Sequence, residues 1–215
     1  MLNKPIQRLT QLSDIIFAVT MTILALGFDP MPDNPELSEN VTDWLLSQLP
    51  DLAMYVITFV TIAFYWLTHI HQFKYYQKTD SIHIFLTLFS LMFVVLLAYA
   101  SDLSVFYDRE FAVQTFFSLS ATGIGLFSSA AWIYGTYNRR LVTSDLPDAT
   151  IRDIRQEGYI EPIISLLAIG GAWLASWGWT ATFVVGFPVA FLIQSKLTNS
   201  KDDVVPIGDR NLHAS

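Results

Sequence analysis

The chain has 215 residues, of which 53% are apolar and 14% charged, with a formal net charge of −7 and no cysteine. An ordinary water-soluble domain is excluded, because the few charges sit in short blocks between long apolar runs, the pattern of an integral membrane protein. The absence of cysteine removes disulfides and thiol chemistry; the net negative charge says nothing about nucleic acid, and no nucleic-acid partner is expected.

Crossing ~30 Å of hydrocarbon takes roughly twenty helical residues. Stretches of about that length run over Leu9–Phe28, Leu52–His71, Ile82–Ala100, Ala112–Tyr137, Ile160–Trp177 and Trp179–Leu197. The expected fold class is an all-α membrane protein with six transmembrane helices. Residues 1–198 form the membrane domain and 199–215 a polar cytoplasmic tail.

The first stretch follows Lys4 and Arg8, as a cleavable signal would. Asp14 within it, no small-residue cleavage pattern after Leu26, and the acidic residues just beyond argue that it is retained. A carboxylate that close to hydrocarbon is costly unless it faces protein or water, so Asp14 marks an architectural or functional site. At ~100° per residue, Thr10, Ser13, Asp14, Phe17 and Met21 fall on one side of the helix. Leu12, Ile16, Val19, Ile23 and Leu26 fall on the other, with Thr22 at the edge. The polar side needs protein partners; the apolar side faces lipid, a neighbouring helix, or a symmetric copy around a pore axis.

The second helix ends in Tyr65-Trp66-Leu67-Thr68-His69-Ile70-His71 and the third opens near His83. Their ends share the depth of Asp14, so a histidine or indole N–H is the expected donor to its carboxylate. For His69 this network is favoured over a proton relay; His71 and His83 read as interfacial. The His71 and His69 rings point apart on a helix, and no metal site is expected.

Gly123 and Gly125 in helix four, and Gly170, Gly171, Ala172 and Ala175 in helix five, read as close-packing positions. Between these helices lies the longest cytoplasmic connection, Arg139 to Tyr159, in which Asp148–Glu157 reads as a short polar surface helix. In helix six, Pro188 after Gly186 predicts a local loosening.

Basic residues set the orientation. Lys4, Arg8, Lys74, Lys78, Arg139, Arg140, Arg152, Arg155, Lys196, Lys201 and Arg210 share one side, and Arg109 stands alone on the other. That other side holds Asp29, Asp33, Glu36, Glu39, Asp43, Asp51, Asp102, Asp108 and Glu110. Both termini are therefore expected in the cytoplasm. The acidic side either gathers cations electrostatically or is a set of solvated loops.

Arg8-x-x-x-Leu12-Ser13-Asp14, the following Phe17-Ala18-x-Thr20-x-Thr22-Ile23-Leu24-x-Leu26, and Trp66-x-x-His69 resemble prokaryotic members of the endolysosomal potassium channel family, transmembrane protein 175. Leu12 replaces a phenylalanine of the family signature, and Thr87 stands where helix three usually carries an asparagine. The resemblance implies a homotetramer in a prokaryotic inner membrane, with the first helices around a pathway for potassium and other monovalent cations, and no cofactor. It implies a constriction from Val19, Ile23 and Leu26, with the Thr22 hydroxyl beside them, and a buried network of Arg8, Ser13, Asp14, Trp66 and His69. No Thr-Val-Gly-Tyr-Gly carbonyl filter is present in the sequence, so an apolar neck would select potassium over sodium only modestly. The alternative is a proton-coupled transporter titrating Asp14, Glu161 and the histidines. An enzyme is not expected, since no nucleophile–base pair is evident.

Overall fold

The computed structural model describes residues 4–27, 41–107, 110–175 and 177–186, together with 188, 189 and 192. The acidic stretch 29–39, Asp108, Arg109 and the tail 199–215 lie outside the described residues, and the expectations about them with it. The chain is all-helical apart from a single antiparallel bridge among the described residues. The helices are α1 (Lys4–Ile23, tightened into a 3₁₀ turn over Leu24–Gly27), α2 (Val41–Ser47), α3 (Leu49–Phe73), α4 (Ser81–Phe106), α5 (Phe111–Thr136) and α6 (Asp148–Leu174). A further helical stretch over 178–186 is termed α7.

Among the described residues, α1, α3, α4 and α5 are long and apolar enough to cross a bilayer. Their outward residues suit that role, since Phe85, Leu126 and Ile133 are exposed and only hydrocarbon tolerates so much apolar surface.

Local chemistry fixes the ends. Asp80 caps α4 by accepting the His83 backbone N–H at 3.0 Å. Pro50 sits in the first turn of α3, where its missing N–H costs nothing. Past α5, Asn138 and Arg139 take φ of 50° and 52°, turning the chain sharply towards α6.

The polar segment Asp148–Glu157 is not a separate surface helix, as the sequence suggests. It is the first part of α6, and the helix continues through Pro162 into the apolar part. Ile154, Glu157 and Glu161 are buried within it. The short α2 is a further element that the hydropathy pattern does not announce.

Close approach governs the packing of α5, which packs most extensively with α4 and α6. A Cβ on Gly123 would lie 2.6 Å from the Phe93 ring, and one on Gly125 would lie 2.0 Å from Pro162 Cγ. The main core joins Phe17, Ile62, Tyr65, Leu97, Phe117 and Trp179. A second cluster closes the end that carries Lys4, with Ile6, Leu9, Phe73, Tyr76, Trp132 and Ile154. There Tyr76 bridges to Val142, tying the α3–α4 and α5–α6 connections together. Beside it Asp80 accepts the Tyr134 hydroxyl at 2.8 Å, and Arg140 donates to that hydroxyl at 2.6 Å. Burial acts to raise the Asp80 carboxyl, but the His83 N–H, the Tyr134 hydroxyl and the Arg140 charge outweigh it and hold it low.

Candidate functional site

Helix α1 presents two faces. Ile6, Leu9, Ser13, Phe17 and Thr20 are buried against α3 and α4 at i, i+3, i+4 spacing. Leu12, Ile15, Val19 and Ile23 form an opposite stripe, between 41% and 59% exposed, that Leu26 extends at 81%. An apolar stripe running the length of a helix, uncovered within its own chain, awaits lipid or another chain.

The stripe differs from the wheel reading at one position. Ile16 is half-buried and packs against the main core, while Ile15 takes the outward place. Met21 packs inward as expected. Thr22 lies on the exposed side, its hydroxyl donating to Ala18 O at 2.7 Å. Such a bond satisfies the proton and leaves oxygen lone pairs facing outward.

Asp14 lies at the border between the faces, exposed in the single chain. The Trp66 indole N–H donates to its Oδ1 at 3.2 Å, the cross-helix bond that joins α1 to α3 at this level. The donor is thus the indole and not His69. The His69 ring stacks on Phe73 at 4.0 Å and leans on Phe17 at 5.6 Å. Its buried Nε2 finds no hydrogen bond among the described residues. Ser13 is buried, but its hydroxyl bonds to Leu9 O at 2.9 Å within its own helix. Arg8 is exposed and forms no ion pair with Asp14 among the described residues. One cross-helix bond, two aromatic contacts and a self-capped serine therefore stand where the sequence suggests a fuller network. Thr87 likewise bonds within its own helix, donating to His83 O at 2.9 Å.

A groove of about 720 Å³ between α1 and α3 opens over these residues, lined by Thr10, Gln11, Asp14, Trp66, His69 and Lys74. On the other flank a groove of about 400 Å³ carries Lys4, Arg8, Leu12, Ile84 and Leu88. Asp14 and Lys74 thus lie on one flank of the stripe, Lys4 and Arg8 on the other.

The other histidines are not merely interfacial. His83 is fully buried, with Nδ1 2.8 Å from the Thr79 hydroxyl and its ring 4.3 Å from that of Tyr76. His71 meets Glu157 of α6 at 2.9 Å, a contact the sequence does not reveal because it depends on how α6 is placed. Glu161 is buried on α6, which packs on α3 and α5, whereas α1 packs on α3 and α4. Asp14 and Glu161 thus belong to different sides of the bundle. Among the described residues no cluster of three or more His, Cys, Asp or Glu side chains is arranged to hold a metal.

A family model described as the endosomal/lysosomal potassium channel TMEM175 matches residues 8–97, from Arg8 of α1 to Leu97 of α4. The chain is 29% identical to a potassium channel of Streptomyces collinus over 155 residues, covering 69% of this chain and 74% of that protein. It is 26% identical over 141 residues to the endosomal/lysosomal proton channel TMEM175 of Gallus gallus, covering 65% of this chain. That match spans only 28% of the longer chicken protein. Among solved structures, a lysosomal potassium-selective channel TMEM175 homolog from Chamaesiphon minutus superposes with a TM-score of 0.74 at 18% identity, over 91% of this chain and 99% of that one. A variant of the potassium channel MtTMEM175, solved in complex with a nanobody fusion protein, superposes with a TM-score of 0.55 at 18% identity, over 92% of each chain. At such identity the two structures speak for the fold alone.

Proposed function

We propose that this chain, which the TMEM175 family model matches over residues 8–97, is one subunit of a potassium-permeable cation channel. The observation that carries the reading is the uncovered apolar stripe of α1, flanked on one side by Asp14 and on the other by Arg8. A lone apolar helix face could rest on lipid. Charged residues on both flanks suit it better to a ring of copies, in which Arg8 of one copy approaches Asp14 of the next.

In this reading the protein is a homotetramer of six-helix subunits with cytoplasmic termini in a prokaryotic inner membrane. Four copies of α1 surround the ion path. Val19, Ile23 and Leu26 narrow it, with Thr22 offering oxygen between the apolar rings. A neck of that kind gates by dewetting and passes the ion that sheds water more cheaply, so potassium exceeds sodium only modestly and no carbonyl filter is needed. Trp66 and Asp14 hold α1 on α3, so that the stripe keeps its rotation toward the axis.

The relatives from chicken and Danio rerio are named proton channels, which supports protons as a second permeant here. Current reversal in a pH gradient at symmetric potassium tests it: movement toward the proton potential supports proton passage, and a fixed reversal at zero contradicts it. For the main reading, recording from reconstituted protein under opposed potassium and sodium gradients is the test. Discrete currents reversing toward the potassium potential support it. A clear sodium preference, or saturable carrier flux without unitary steps, overturns it.

A further inference from the structure

The groove of about 400 Å³ between α1 and α4 changes character along its length. Lys4 and Arg8 stand where α1 begins, and Leu9, Leu12, Ile84 and Leu88 continue the wall. Lys4 and Arg8 are four residues apart, so they share one helix face. Leu12 lies a further turn on, about 12 Å from Lys4 at 1.5 Å per residue. On α4, Ile84 falls in the first turn and Leu88 one turn beyond it. Leu12 and Leu88 are both exposed. A cationic mouth thus leads into an apolar trough that the chain itself leaves uncovered.

No Asp or Glu lines the groove among the described residues. Lys4 and Arg8 form no hydrogen bond or ion pair among those residues. Met1, Leu2 and Asn3, which precede them in the sequence, carry no carboxylate side chain. Asp80, one turn before Ile84, is held by the Tyr134 hydroxyl and the Arg140 charge, and Asp14 lines the groove on the other flank of the stripe.

We propose that this groove seats an anionic phospholipid from the leaflet at this end of the bundle, its phosphate on Lys4 and Arg8 and an acyl chain along Leu12, Ile84 and Leu88. The order of the groove is the order of the lipid, with charge at the helix ends and hydrocarbon deeper in. A soluble phosphate would leave the apolar trough uncovered. A zwitterionic headgroup would bring an ammonium to a wall that has two cations and no carboxylate. An anionic leaflet attracts such cations, by about fivefold in affinity for each Lys or Arg near the surface. A guanidinium carries five N–H donors, so Arg8 can meet the phosphate on one edge and, in a ring of copies, Asp14 of the next copy on the other. The lipid site itself needs only the fold and a bilayer. Resting on the channel reading, the lipid fixes the depth of α1, the helix whose stripe narrows the ion path.

Native mass spectrometry of the delipidated full chain in detergent tests it, with dioleoylphosphatidylglycerol and dioleoylphosphatidylcholine as probes at equal concentration. The account expects phosphatidylglycerol to be retained about tenfold or more over phosphatidylcholine. Lys4→Gln and Arg8→Gln should each weaken that retention about fivefold, and Arg152→Gln, which removes a cation of α6 outside the groove, should leave it unchanged. Equal retention of the two lipids overturns the proposal, and so does a loss in Lys4→Gln no greater than that in Arg152→Gln. Displacement of phosphatidylglycerol by glycerol phosphate at the same concentration also overturns it, since the cations would then belong to a soluble phosphate. The comparison of the two lipids on the unaltered chain stands even if Arg8→Gln fails to assemble, and Lys4→Gln, at an exposed position in the first turn of α1, gives a second reading. Selective retention by a protein that carries no current would sink the channel reading and leave the lipid site standing. Current from a protein that retains neither lipid selectively would do the reverse.

Discussion

The Ser129 hydroxyl of α5 donates to Gly158 O of α6 at 3.0 Å, and this is the carbonyl that Pro162 leaves without its intrahelical partner. In an uninterrupted helix the N–H of residue 162 would bond to the carbonyl of residue 158; proline has no N–H to give. A neighbouring hydroxyl is the means by which proline is tolerated within a buried helix.

Ser129→Ala is therefore expected to destabilise the fold by about 1–3 kcal/mol, the cost of an unmatched buried carbonyl. Reversible unfolding in mixed micelles measures it. Pro162→Ala restores the N–H, so the serine should matter less in that background. Additive effects of the two substitutions would show that they do not act through Gly158.

Gly125→Ala places a methyl group 2.0 Å from Pro162 Cγ, and neither the proline ring nor the helix backbone yields easily. Overpacking of this kind costs about 1–3 kcal/mol or more. Gly170→Ala, where a Cβ meets nothing within 4 Å, is the matched control and should leave the unfolding midpoint nearly unchanged.

Asp14→Ala and Trp66→Phe each remove the direct hydrogen bond seen between α1 and α3 at this level among the described residues, and both should lower the yield of folded, assembled protein. Loss of a hydrogen bond to a charged group is worth about 1.5–3 kcal/mol in the buried case, and less at this exposed site. Size-exclusion profiles after purification measure the effect. Normal assembly of Asp14→Ala with loss of transport would instead place Asp14 in the ion path.

The capping carboxylate Asp80 gives a pH signature. Its folded value is held low, so its contribution to stability is present above the ordinary carboxylate value of ~4 and fades as pH falls through the folded value. The difference in melting temperature between the unaltered chain and Asp80→Asn should shrink on acidification below about pH 4. A difference that stays constant down to about pH 2 would mean that the Asp80 charge adds nothing.

The apolar runs of α1, α3, α4 and α5 are legible in the sequence because hydropathy and length suffice to place them, and depth alone sets Asp14 beside the ends of the second and third helices. The identity of the donor does not: Trp66 and His69 lie on the same helix, and only side-chain packing decides that the indole reaches Asp14 while the imidazole stacks on Phe73. Ile16 departs from the wheel for a related reason. Near the edge of a helical wheel both faces are sterically open, and contact with α3 and α4 decides the rotation. The continuity of α6 is hidden by charge, since Asp148–Glu157 reads as solvated until His71 meets Glu157 and Arg139 meets Asp148.

The central claim is that the exposed stripe of α1 narrows an ion path, and planar-bilayer recording of the reconstituted protein beside Ile23→Ala tests it most directly. Under opposed potassium and sodium chloride, the account predicts unitary cation currents that reverse toward the potassium potential and grow when Ile23 is shortened. Currents of unchanged size in normally assembled Ile23→Ala protein would contradict it.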